Sequence, residues 1–455
     1  MQSIDVHGIV EGSRFNRFHA LILSWSMLIL ILDGYDLAIV GAALPSIMEG
    51  MGVDATQAGV MASSALFGMT LGAIFLGTLA DKIGRRLMLS ICIALFSIFT
   101  AAAGLTTGPV SFSVVRFLAG LGIGGVLPIV TAQMAEFSPY GVRARLVTLV
   151  FAGYSIGGIL VAAVGKQLIE TWGWQSVFFT AVAPVLLIPF IMTTMPESMP
   201  FLIRNGRDAD LRRTIPRLSP TTTIPDNARF EISKGGGKAP VSGLFREGRG
   251  LSTAMIWIAF FMGLFMVYAL SSWLTKLMAL AGYSLGSALT FVIVFNFGAM
   301  VGAVLGGWLG DRYNIKYVLV AYYLTGALSL VLMGYTRSTE LLFVVVFVVV
   351  ASALGAQLLA YAYAGAYYPT AMRSTGVGFA SGIGRAGAIL APIVIGIIVE
   401  LNLPIAQNFM AIAAAGVLGT VAVMLIDHKR SAAARRAVNR ETMLESGRVV
   451  VDGAA

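Results

Sequence analysis

Twelve apolar stretches, each roughly 19 to 25 residues long, recur along this chain, and each is about long enough to cross a hydrocarbon core of ~30 Å as a helix. They lie near residues 20–44, 55–79, 88–106, 111–135, 146–168, 175–195, 251–275, 286–310, 317–335, 340–363, 375–399 and 406–426. Of the 455 residues, 57% are hydrophobic and only 12% charged. That much apolar surface cannot be hidden in a water-soluble core, so the bilayer must be the solvent. Membrane lipid is therefore the first expected partner.

The net charge of +9 could indicate nucleic acid, but the position of the charges decides otherwise. With a cytoplasmic N-terminus, 26 of the 31 Lys and Arg fall in inner segments and three in outer loops, namely Lys166, Lys276 and Arg337. The remaining two, Arg116 and Arg385, lie within spans. This bias predicts a multi-pass protein of the cell (inner) membrane with both termini cytoplasmic, and it argues against nucleic-acid binding. The single cysteine, Cys92, lies inside the third span, which excludes a disulfide framework or a thiolate metal cluster. The first span is too long for the apolar core of a signal peptide and is expected to be retained.

Compared with itself at an offset of 230 residues, the sequence repeats. Leu79-Ala80-Asp81-Lys82 aligns with Leu309-Gly310-Asp311-Arg312, Pro139 with Pro369, and Arg143 with Arg373. The expected fold is an all-α membrane protein with twelve transmembrane helices in two pseudo-symmetric six-helix bundles, at 1–196 and 251–427. Between them, 197–250 reads as a flexible cytoplasmic linker containing Pro216, Pro220, Pro225 and three consecutive glycines. Residues 428–455 form a polar cytoplasmic tail, with a short surface helix expected near 432–440.

The inner loop Asp81-Lys82-Ile83-Gly84-Arg85-Arg86 sets an acid at a helix C-terminus with two cations a few residues on. Such a group can form ion pairs in one state and lose them in another, and this makes Asp81, Arg85 and Arg86 candidate gating residues. Asp311, Arg312, Arg143 and Arg373 join them through the repeat. Ordinary positive-inside anchoring is the competing explanation. Residues Gly77 to Arg86 resemble the loop signature of the major facilitator superfamily, Arg116-Phe117-Leu118-Ala119-Gly120-Leu121-Gly122 its fourth-helix motif, and Pro196-Glu197-Ser198 the end of its sixth helix. Asp33-Gly34-Tyr35-Asp36 and Gly384-Arg385-Ala386-Gly387 are similar to motifs of its aromatic acid:proton symporters. Asp5-Val6-His7 and Phe15-Asn16-Arg17-Phe18-His19 resemble the benzoate-transporter branch. Lys316 stands where relatives carry histidine. The resemblance implies proton-coupled import of an aromatic carboxylate by a monomer with no cofactor and no enzymatic activity.

The residues themselves point to the same positions. Asp33 and Asp36 are three apart, so they share one face of the first helix near mid-membrane. A central charge costs roughly 2.5–3.5 kcal/mol to insert and normally faces a cavity with a partner. Arg116 lies about 9 Å and Asp36 about 12 Å from the outer ends of their helices, so Arg116 is expected to pair with Asp36 or with Asp33. Two acids facing one cation leave a carboxylate able to titrate, which makes Asp33 the first candidate proton carrier. The competing reading is a static ion pair. Glu136 is read as part of an inner relay or, equally, as the partner of a loop cation such as Arg145.

Arg385 has no acid at its depth in its own half, so a substrate carboxylate or Asp33 is its expected partner. Tyr35, Arg116, Phe265, Tyr268, Phe295, Asn296, Gln357 and Tyr361, with Phe261 and Phe291, are candidates for the substrate site, since an aromatic ring needs apolar, partly aromatic walls. Gly120, Gly122, Gly124 and Gly125 suit tight helix packing, and no strand precedes them as a nucleotide fold requires. No GxxxxGK[ST] loop is present, and metal-ligand spacing is absent. Alternatives are a carrier or exporter of another small organic anion, and a membrane receptor.

Overall fold

The computed structural model describes residues 3–220, 225, 229–231, 240–246, 248–369 and 372–432. A short strand β1 (Ser3–Asp5) and helix α1 (Val6–Glu11) precede the first long helix, α2 (Arg17–Met51). There follow α3 (Ala55–Ile83), α4 (Arg85–Ala103), α5 (Pro109–Phe137), α6 (Arg143–Trp172), α7 (Gln175–Thr180), α8 (Ile188–Thr194), α9 (Met199–Arg204), α10 (Asp208–Leu218) and strand β2 (Arg229–Glu231), which pairs in parallel with β1. The second half comprises α11 (Gly250–Leu280), α12 (Leu285–Arg312), α13 (Ile315–Tyr335), α14 (Thr339–Tyr367), α15 (Arg373–Glu400) and α16 (Ile405–Leu425).

Among the described residues there are twelve spans long and apolar enough to cross a membrane, as the hydropathy pattern predicts. The duplication is visible in helix boundaries: α4, α5, α6 and α7 have counterparts α13, α14, α15 and α16 that each begin 230 residues later. The sixth span departs from expectation. It is two short helices joined by a 3-10 segment, Ala183–Leu187, because Pro184 and Pro189 lack the N–H groups a continuous α-helix would need.

By packing, the chain forms two compact units: Met1–Gly235 with Leu270–Phe297 and Pro392–Ile405, and Gly236–Ala269 with Gly298–Ala391 and Ala406–Ala455. This division is distinct from the division by repeat, since α11, α12 and α15 each contribute to both units. Within the first unit the Glu400 carboxylate accepts the Ala55 N–H at 2.7 Å, satisfying a free donor at the start of α3 beside the N-cap Asp54. The Trp273 indole donates to the Pro392 carbonyl at 2.9 Å.

The described part of the expected linker is folded rather than flexible. Leu211, Ile215 and Leu218 recur at helical spacing on α10 and are buried, and Asp208 and Asp210 favour its first turn. The N-cap of α2 holds it in place. The Asn16 Oδ1 accepts the N–H groups of Phe18 and His19, while Nδ2 donates to the carbonyls of Arg217 (3.1 Å) and Leu218 (2.9 Å). The Arg217 guanidinium lies 5.1 Å from the centre of the Phe18 ring. The three consecutive glycines and the helix expected at 432–440, beyond Ala432, lie outside the described residues.

Lys316 has a clear local role in the second unit. Its Nζ donates to the carbonyls of Met424 (3.0 Å) and Ile426 (2.7 Å), capping the C-terminal end of α16 with a cation. His428 follows immediately, its ring stacked on Tyr363 at 5.8 Å with Nδ1 3.3 Å from the phenol oxygen. Burial holds its pKa below the ordinary 6.5, Lys316 pushes it further down, and Asp427 opposes both. A lowered histidine pKa means that the fold favours the neutral ring. Its stabilisation is complete above pH 6.5 and is lost as pH falls through the lowered value. Protection of residues 426–431 against hydrogen exchange, taken relative to the intrinsic exchange rate at each pH, should therefore fall on acidification below pH 6.5, and His428→Gln should remove that dependence. An unchanged pH response in the variant would exclude His428 as the titrating group.

Candidate functional site

Close backbone contact between α2 and α6 creates the centre of the first unit. A side chain on Gly34 would run into the Tyr154 backbone, at 2.7 Å from its Cα, and one on Gly157 would meet Gly34 carbon at 2.8 Å. Only glycine permits this approach, and it sets Tyr154 directly over the acidic turn of α2. Asp33 is fully buried, and the Tyr154 hydroxyl donates to its Oδ2. Its Oδ1 has no hydrogen-bond partner among the described residues.

Asp36, one turn on, has opposite surroundings. Arg116 Nη1 donates to its Oδ1 at 2.5 Å, Nη2 to its backbone carbonyl at 3.2 Å, and the Thr100 hydroxyl lies 2.6 and 2.8 Å from the two carboxylate oxygens. Both Asp36 and Arg116 are 1% exposed, so this pair is desolvated and closed. Of the two partners open to Arg116 from sequence, the structure brings it to Asp36. Tyr35 points away from this triad, donating to or accepting from the Thr180 hydroxyl of the broken sixth span at 2.6 Å. A cavity of about 130 Å³ opens there between Tyr35, Asp36, Phe96, Val164 and Pro184.

The glycines of α5 act in packing as expected. A side chain on Gly122 would lie 2.6 Å from the Cys92 carbonyl, and one on Gly125 would lie 2.6 Å from the Cys92 thiol. At the start of α4, Arg85 pairs with Glu136 at 2.6 Å and more distantly with Asp81 of α3 at 3.5 Å. Glu136 therefore meets Arg85 rather than Arg145. Glu197 explains Pro196-Glu197-Ser198: its Oε1 accepts the N–H groups of Arg85 (2.7 Å), Arg86 (3.3 Å) and Ser198 (3.0 Å), capping α4. Gly84, at φ +102°, leaves room for this carboxylate, since a side chain there would lie 2.7 Å from Oε2. Arg143 donates to Glu11 and to the Ser138 carbonyl, both at 3.4 Å. Asp311 and Arg312 are exposed, with the Arg312 guanidinium over the Trp308 ring, and Arg373 opens α15.

In the second unit, Gly384 and Gly387 bracket Arg385 and let α15 press on α11. A side chain on Gly384 would lie 3.1 Å from the Phe260 carbonyl, and one on Gly387 would be 3.0 Å from the Phe261 carbonyl carbon. Arg385 is half-buried on this crossing, and no hydrogen bond or ion pair joins it to a described residue. Phe265 and Gln357 are buried in the same unit, and the Tyr361 hydroxyl bonds Ser381 at 2.8 Å. Neither Gln357 side-chain polar atom has a partner among the described residues. Tyr268 is half-buried. Phe295 and Asn296 belong to the first unit, where the Asn296 amide lies against Gly158, one turn along α6 from Tyr154.

Residues 26–360 and 292–450 match the model of the Major Facilitator Superfamily. The chain belongs to that superfamily. Among curated relatives, it is 40% identical over 437 residues to a benzoate transport protein of Acinetobacter baylyi, covering 94% of each chain. It is 33% identical to a 4-hydroxybenzoate transporter of the same organism, covering 85% of this chain and 86% of the relative. A gallate transporter of Pseudomonas putida is 32% identical, with 94% and 96% covered. The fold matches the inward-open xylose transporter from E. coli with TM-score 0.69 at 18% identity, over 92% of this chain and 99% of that one. As a major facilitator protein with twelve spans it is a multi-pass membrane protein, and its curated relatives are transporters rather than enzymes.

Tyr154, Thr100 and Glu197 as a helix cap were not identified as contributors from sequence. Tyr154 carries a weak signal: it stands between Gly153 and Gly157, a small-residue spacing that marks a helix crossing.

Proposed function

We propose that this protein imports an aromatic carboxylate of the benzoate or hydroxybenzoate type together with protons, by alternating access of the two repeat halves. The observation that carries the coupling is the unequal environment of the two acids on α2. Asp36 is closed by Arg116 and Thr100, whereas Asp33 has one buried oxygen without a partner among the described residues. A buried carboxylate with a free oxygen can take up and release a proton where a doubly held one cannot do so without breaking its pair.

Arg385 supplies the complementary group, a forked donor for a carboxylate. Its lack of a described partner supports an anionic ligand, and the names of the relatives support an aromatic one. The inner network of Asp81, Arg85, Glu136 and Glu197 supports a gating role for that end of the first half. The bias of basic residues supports an inner-membrane location with both termini cytoplasmic.

With one proton per monoanion, an inward gradient of one pH unit is worth ~1.4 kcal/mol and supports about tenfold accumulation. Labelled benzoate should accumulate in proteoliposomes only when that gradient is imposed, and Asp33→Asn should bind benzoate but fail to accumulate it. Flux indifferent to the gradient would defeat the coupling, and normal accumulation by Asp33→Asn would defeat the assignment.

A further inference from the structure

We infer that Tyr154 is a positioning residue that decides which oxygen of Asp33 carries the transferable proton. The inference rests on the proton-coupled reading above and names a residue that reading does not require. The Tyr154 hydroxyl donates to Asp33 Oδ2, while Oδ1 is buried with no hydrogen-bond partner among the described residues. An ionised carboxylate only accepts, and a phenol is held as donor by such a partner. An arriving proton favours Oδ1, because one lone pair of Oδ2 is already taken by the phenol hydrogen while Oδ1 accepts no described donor. The resulting carbonyl oxygen Oδ2 still accepts from Tyr154.

The hydrogen bond therefore persists in both protonation states. One O–H bond forms and breaks at Oδ1, the phenol keeps its own proton, and no other group is oxidised or reduced. Oδ1 alone changes from acceptor to donor as the carrier loads. Backbone contact between Gly34 and Tyr154 holds the Tyr154 Cα beside the Asp33 turn, within reach of its carboxylate. The same face of α6 carries Gly158, against which the Asn296 amide lies, so displacement of Tyr154 would also disturb a residue proposed for the substrate site.

Tyr154→Phe keeps the ring and removes the donor. Three quantities should be measured in the wild type and the variant: benzoate binding in detergent, the initial rate of gradient-driven uptake in proteoliposomes, and entry of protons reported by an internal pH dye. If the wild type takes up benzoate without protons, the coupling reading falls. If the wild type is coupled, Tyr154→Phe should slow the initial rate of gradient-driven uptake roughly tenfold to hundredfold, the effect of removing a hydrogen bond to a charged group. Binding should stay near wild type, and the pH profile of uptake should be displaced. A wild-type uptake rate with an unmoved profile would overturn the positioning role, as would equal losses of binding, uptake rate and thermal stability. Fluorotyrosine at position 154 keeps the ring and the donor but acidifies the phenol. It should move the pH profile while leaving binding intact, and an unmoved profile would overturn the role independently of any folding defect in the phenylalanine variant.

Discussion

Arg385→Ala should weaken benzoate binding by roughly two orders of magnitude or more, because a carboxylate would lose two charge-assisted hydrogen bonds worth about 1.5–3 kcal/mol each. The variant should still fold. Arg385 makes no ion pair with a described residue, so truncation strands no protein carboxylate. Arg385→Lys should fall between, since an ammonium keeps the charge but lacks the planar fork. Isothermal calorimetry on the purified protein checks both variants. Binding within a few-fold of wild type in Arg385→Ala would remove Arg385 from the substrate site and leave the anion to another group.

The second large effect concerns stability. Arg116→Ala would leave Asp36 buried at 1% exposure with only Thr100 as a side-chain partner, and stranding one member of a buried pair costs about 3–5 kcal/mol. The single variant should lose several degrees of apparent melting temperature in detergent. The double variant Arg116→Met with Asp36→Leu replaces both charges by apolar groups and should recover most of that loss. Wild-type melting in Arg116→Ala would show that the pair contributes nothing to the first unit. Recovery of stability without recovery of transport in the double variant would separate the scaffold role of the pair from any part in coupling.

These two arginines show how far the sequence could be read. Both stand out because a guanidinium within an apolar span is costly and demands a partner. Depth along a helix narrowed the partner of Arg116 to two acids one turn apart, but the choice required knowing which way each carboxylate faced. Thr100 settles it, and a threonine in an apolar span carries no comparable signal. For Glu136 the sequence offered an inner relay or a loop cation, and the packed turn around Gly84 brought it to Arg85. Pro196-Glu197-Ser198 was legible as a motif and opaque as a device. Its carboxylate caps a helix that begins more than a hundred residues earlier, which no local pattern can reveal.

Membrane solvation made the class of fold readable in one dimension. Every span must be apolar over about the same length, charges must collect on one side, and a duplicated gene keeps its helix starts in register, here at 230 residues. Those constraints act on the chain alone. Tertiary structure decided the interruption of the sixth span, the docking of α10 on Asn16, and above all the inequality of Asp33 and Asp36. The reason is physical: a buried carboxylate's behaviour depends on the donors within about 3 Å of each oxygen, and those donors come from helices far apart in sequence. Tyr154 and Thr100 arrive from α6 and α4, and only the close approach of glycine-lined helices brings them there.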